Sequence, residues 1–181
     1  IYIWGDFIKQ EVIEEFEERY QCRIIVDTYD SNEAMYAKLK SGASGYDLIF
    51  PSGYILEAME NQKMLTTIDE TLIPNLKNLD YTYLDLLHEP RYENSVPYAL
   101  TFSAVAFRQD KVQNPELSWD VFNSTHLKGR MTMLNDMREV LGVSLKTLGY
   151  SINSRDAKEI EQAKALVMTW KKNLAKFESE Q

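Results

Sequence analysis

Cysteine is almost absent: Cys22 stands alone in 181 residues, and His88 and His126 are the only histidines. A disulfide within the chain needs two thiols, and cysteine-rich zinc sites or histidine-based metal clusters need several ligands, so the count excludes them. No cofactor is expected. Long apolar runs are missing too, and nothing approaches the roughly 20 residues that a membrane helix requires. Basic residues are outnumbered, 20 against 28 acidic ones, for a net charge of −8 and a pI near 4.9. That balance disfavours nucleic acid and anionic membrane surfaces, and its long-range field favours cationic partners. Internal repeats and low-complexity stretches are absent as well.

What is present is the profile of a globular protein, 44% hydrophobic and 27% charged. The length suits one sizeable domain or two small lobes, since domains typically hold roughly 100–200 residues. The chain opens inside an apparent strand at Ile1, without Met or leader, so a preceding segment is expected to have been trimmed.

Hydrophobic periodicity supplies the elements. "IYIW" alternates as a strand and runs straight into a turn. "KQEVIEEFEERYQ" places Val12, Ile13, Phe16 and Tyr20 at helical spacing. "CRIIVDTYD" reads as a strand around Ile24, Ile25 and Val26, and "DSNEAMYAKLKSG" as a helix with Asp30 and Glu33 in capping-box spacing, ending near Gly42. Leu48 to Phe50 form a third apolar run that stops at Pro51, with a helix opening near Tyr54. Three βα units predict a mainly parallel sheet covered by helices.

Residues 64–94 carry no long period and predict loops and short helical turns wrapping the first lobe. Residues 95–112 read as extended chain leading into a second lobe. There "LSWDVFNSTHLKGRMTML" predicts a short helix and a strand, "NDMREVLGVSLKTLGYS" a helix, and "RDAKEIEQAKALVMTWKKNLAKF" a longer helix. One clear strand is too few for a sheet of the usual size. Either the chain is part of a longer protein, or a second copy supplies strands in a segment-exchanged dimer.

Ligands of open parallel sheets bind beyond the carboxyl ends of the strands. Three stretches fall there. "WGDF" offers Trp4 and Phe7, "PSGY" offers Ser52 and Tyr54, and "NDMRE" offers Asp136 and Glu139. Ring faces attract an organic ammonium by roughly 0.5–2 kcal/mol each, and carboxylates add charge-assisted hydrogen bonds. Each residue also has an ordinary structural use: Trp4 and Phe7 as packing, Ser52 and Asp136 as helix caps, Glu139 as the partner in a capping box. A glycosidase-like pair, Asp136 with Glu139, is a rival reading. Such a pair needs carboxyls facing each other about 5–9.5 Å apart, which two acids on one helical turn seldom provide.

"TYDSNEAMYAKLKSGASGYDLIFPSGY", "IPNLKNLD", "SVPYA" and "NDMREVLGVSLKTLGYSINS" together resemble the spermidine/putrescine-type, polyamine-binding subunits of bacterial ABC importers. The similarity runs from Ile1 to about residue 165, in the same order. It implies an α/β fold of the type II periplasmic-binding-protein kind. Two lobes joined by crossing strands would close on the ligand about a hinge, with the second lobe incomplete in this chain. The lobes are expected at 1–104 and 105–181.

The resemblance implies binding without catalysis, a periplasmic or extracytoplasmic location, and docking on the permease subunits at the membrane. Trp4, Asp6 and Phe7 match the family's first aromatic wall and its nearby acid. Ser52 and Tyr54 match first-lobe ligand contacts, and Asp136 and Glu139 match the acids that meet amino groups. Gly5, Phe7, Gly53 and Leu100 depart from the family pattern, while Tyr54 leans toward spermidine. A ligand sensor without a transport role is the remaining alternative.

Overall fold

The computed structural model describes residues 1–80 and 93–178. The chain divides into two units, Ile1–Leu100 and Thr101–Gln181.

The first unit runs β1 (Tyr2–Trp4), α1 (Gln10–Tyr20), β2 (Asp27–Tyr29), α2 (Asn32–Lys40) and α3 (Gly53–Asn61). Strands β1 and β2 pair in parallel, with Trp4 opposite Tyr29. On the other edge of β1, the Tyr2 N–H donates to Leu48 O at 2.9 Å and the Phe50 N–H to Tyr2 O at 3.0 Å, a parallel bridge at Ile49. Successive amides of a strand point to opposite sides. β1 is therefore central and flanked by parallel neighbours, as the βα pattern predicts.

Three details differ from the sequence reading. The predicted strand around Ile24–Val26 pairs later, at Asp27–Tyr29, and leaves Ile25 74% exposed. The α2 cap is Ser31, whose hydroxyl accepts the Ala34 N–H at 3.2 Å; the Asp30 to Glu33 spacing is out of frame by one residue. In α1 only Ile13 of the predicted apolar face is buried, while Val12, Phe16 and Tyr20 are exposed.

The core of this unit gathers Tyr2, Tyr29, Met35 and Met59, with Trp4, Tyr46, Ile49 and Ile55 packed against them. At the amino ends of the strands, Tyr2 and Tyr46 stack with centroids 4.6 Å apart under the Lys38 ammonium. Asp27 receives Lys38 Nζ at 2.7 Å and the Tyr46 hydroxyl at 2.5 Å, and these bonds hold its carboxyl below the usual range. A carboxyl so lowered contributes stability above its unfolded pKa of about 4, and that stability is lost as pH falls through the folded value. Asp27→Asn is therefore expected to flatten the acid limb of this unit's stability curve. Urea midpoints at pH 7 and pH 3 check this, and an unchanged difference in the variant speaks against it.

Beyond α3 come the expected helical turns, Glu70–Leu72 and Pro74–Asn78, and the Ile68 N–H donates to Glu93 O at 2.8 Å. The remainder of that predicted wrapping segment, 81–92, lies outside the described residues. Residues 95–108 join no ladder among the described residues, and the extended reading of 95–112 fails at its end, where 109–111 form a turn closed by the Lys111 and Val112 N–H groups on Arg108 O at 3.0 and 2.9 Å.

The second unit is β3 (Met131–Leu134), α4 (Met137–Thr147), α5 (Ala157–Lys171) and β4 (Leu174–Glu178), with β3 and β4 parallel. β4 corrects the sequence reading, which gave these residues to the preceding helix. The helix stops because Asn173 is pinned: its buried side chain donates to Phe122 O at 2.9 Å, and its carbonyl accepts the Gly129 N–H at 2.7 Å. The core of this unit joins Val121, Phe122, Met131, Met133, Val140 and Trp170. No helix among the described residues is long and apolar enough to cross a membrane.

Candidate functional site

In the first unit the predicted residues sit at the carboxyl ends of the parallel strands. Trp4 closes β1 and Gly5–Asp6 turn the chain, with the Phe7 N–H reaching back to Trp4 O at 3.4 Å and Asp6 at φ 59°. Aspartate tolerates that left-handed conformation better than most residues. Trp4 is half-buried: its ring lies 4.7 Å from that of Tyr29 and 6.3 Å from Phe7, which is 41% exposed. The tryptophan is thus neither sealed in the core nor detached from it.

Tyr29 backs this wall. Its hydroxyl donates to Phe50 O, and burial pushes its phenol well above its usual range, so the wall stays neutral. Tyr98 adds a second support, donating to Phe7 O at 2.6 Å with its ring edge-on to Phe50 at 4.9 Å. Sequence reasoning missed Tyr98 as a site residue. The "PY" pair, set in a stretch of small residues, was the signal that marks it.

Ser52 takes the N-cap position of α3 in extended conformation, yet its hydroxyl makes no capping bond. Its N–H donates to Asn32 Oδ1 at 3.0 Å. Tyr54 lies two residues on, half-buried, with its hydroxyl accepting from Asn32 Nδ2 at 3.0 Å and donating to Glu33 Oε1 at 3.1 Å. Glu33 puts an acid beside this tyrosine, and α3 has none in its own first turn. Sequence reasoning assigned Glu33 to a cap and passed over Asn32.

In the second unit Asp136 caps α4, its Oδ1 accepting the Glu139 N–H at 3.0 Å. The capping use weighed from sequence is therefore present. It occupies one carboxylate oxygen and leaves the charge in place. Glu139 is exposed and accepts a hydrogen bond from the Ser103 hydroxyl, a contact the sequence did not suggest. A cavity of about 860 Å³ within this unit is lined by Glu139, Ser103, Val105, Trp119 and Met133, together with the cations Arg108 and Arg130. Asp136 is not among its lining residues.

In the first unit Tyr29 and Tyr98 back Trp4 and Phe7, and Asn32 holds Ser52 and Tyr54; in the second, Asp136 and Glu139 stand at the start of α4. The sequence profile of bacterial extracellular solute-binding proteins matches residues 11–180. The chain belongs to that family. Among solute-binding proteins, it is 35% identical over 181 residues to the spermidine/putrescine-binding periplasmic protein of Escherichia coli (strain K12), covering 99% of this chain and 52% of that protein.

The crystal structure of the TpPotD lipoprotein of Treponema pallidum superposes with a TM-score of 0.91 at 38% identity, covering 98% of this chain and 56% of that one. The spermidine/putrescine ABC transporter substrate-binding protein PotD of Streptococcus pneumoniae follows at TM-score 0.69 and 29% identity, with 97% and 55% covered. The chain therefore has the α/β fold of periplasmic solute-binding proteins, and it spans about half the length of the curated relatives it matches.

Proposed function

We propose that this chain captures a polyamine, spermidine or putrescine, outside the cytoplasm for import by an ABC transporter. What carries the reading is that a 35% identical relative named for these two ligands aligns along 99% of the chain, on residues whose chemistry suits them. A polyamine is a chain of methylenes between ammonium groups. The ring faces of Trp4, Phe7 and Tyr54 take the methylenes and the adjacent charge, and the Ser52 hydroxyl accepts from an amine. The carboxylates of Asp6, Asp136 and Glu139 take the ammonium ends.

No bond is made or broken in this scheme; the residues hold a cation and exclude water. The glycosidase rival loses ground because Asp136 spends an oxygen on capping the residue with which it would have to cooperate. In this scheme the lobes divide at 104/105 and the protein docks on the permease subunits, its second lobe completed by a further part of the same chain or by a segment exchanged with a second copy.

Calorimetric titration with spermidine, putrescine and 1,4-butanediol tests it. Both amines are expected to bind and the diol, which keeps the methylenes but lacks the charge, is expected not to. Equal heats from the diol, or turnover of a glycoside substrate, would reject the proposal.

A further inference from the structure

Asn32 is the first residue of α2, wholly buried, and distant in sequence from both residues it holds. A backbone N–H can only donate, so the Ser52 amide at 3.0 Å fixes Oδ1 on its side and turns Nδ2 toward the Tyr54 hydroxyl, also at 3.0 Å. The tyrosine then directs its own proton to Glu33 at 3.1 Å. One amide thereby sets the backbone of one candidate ligand contact and the hydroxyl of another, in a place where an unmet polar group is costly.

We infer that Asn32 is a positioning residue for ligand binding, holding Ser52 and Tyr54 in the arrangement that receives the amine. The inference rests on the polyamine reading above. Contact residues locked by such supporting bonds lose less freedom when ligand arrives, so the effect appears in affinity. With its proton committed to Glu33, the Tyr54 oxygen acts as an acceptor, the polarity that an ammonium ligand needs.

The test is a double-mutant cycle read by spermidine calorimetry, with Asn32→Leu, Tyr54→Phe and the double variant. Asn32→Leu keeps the branched shape, with methyls in place of the amide oxygen and nitrogen, and removes both hydrogen-bonding arms. It is expected to weaken spermidine about tenfold with Tyr54 present, and by less than about threefold in the Tyr54→Phe background. The same loss in both backgrounds would mean that Asn32 does not act through Tyr54, and would overturn the inference while leaving polyamine binding intact. Failure of the unmutated protein to bind spermidine strikes instead at the proposed function.

Asn32→Ser, smaller and still polar, is measured alongside, with urea melts reporting folding. If neither variant folds, NMR of the unmutated protein decides. A slowly exchanging Tyr54 hydroxyl proton with a cross-peak to the Asn32 amide is expected, and a freely exchanging one would overturn the assignment.

Discussion

Trp170→Ala is expected to destabilise the second unit by about 3–5 kcal/mol, the usual cost of emptying a buried aromatic site. Trp170 is fully buried near the end of α5, its ring 5.8 Å from Phe122 and packed among Val121, Met131, Met133 and Val140. It therefore ties α5 to β3, to α4 and to the turn at 119–123. Alanine would leave those partners facing a void that two short strands have little means of closing.

A second substitution separates packing from polarity. The indole N–H of Trp170 is buried with no hydrogen-bond partner among the described residues. Such a group costs roughly 1–3 kcal/mol. Trp170→Phe gives up part of the packing but also sheds the unmet donor, so its net effect is expected to stay within about 1.5 kcal/mol. Urea melts of the three proteins measure both numbers, and hydrogen exchange should place the alanine variant's lost protection in α4 and α5. Equal losses for alanine and phenylalanine would show that ring volume is not what holds this core.

Local signals in the sequence survived into the structure where the interaction was itself local. "NDMREVLGVSLKT" carries its own N-cap, and α4 begins where Asp136 says it should because the bond spans only three residues. The first βα units were legible for a similar reason, as periods of two and 3.6 lie side by side in the chain.

β4 was not legible. No glycine or proline separates it from α5, and what ends the helix is a bond from Asn173 to Phe122, fifty-one residues away. The same limit applies to the site. Trp4, Tyr54 and Glu139 stood out by residue type and by resemblance, whereas Asn32, Tyr98 and Ser103 act through contacts 20 to 91 residues distant. A buried asparagine at a helix start reads as a cap until its partners are in view.

Asp136→Asn and Glu139→Gln are each expected to weaken polyamine binding at least tenfold, because each removes one charge from the proposed cation site and little else. Asparagine caps a helix about as well as aspartate, so the bond to the Glu139 N–H and the start of α4 should persist. In Glu139→Gln the amide oxygen can still accept from the Ser103 hydroxyl. Loss of affinity in either variant therefore reports the missing charge and not a frayed helix.

A hydrogen bond to a charged group is worth roughly 1.5–3 kcal/mol, and 1.4 kcal/mol is a factor of ten in affinity, which sets the expected floor. Both variants should also show a shallower decline of affinity with salt, since screening acts on the charge they lack. Calorimetry with spermidine at low and moderate ionic strength measures affinity and salt slope together. Unchanged affinity in both variants would remove the two acids from the proposed site, leaving Asp136 as the cap of α4 and Glu139 as the acceptor of the Ser103 hydroxyl.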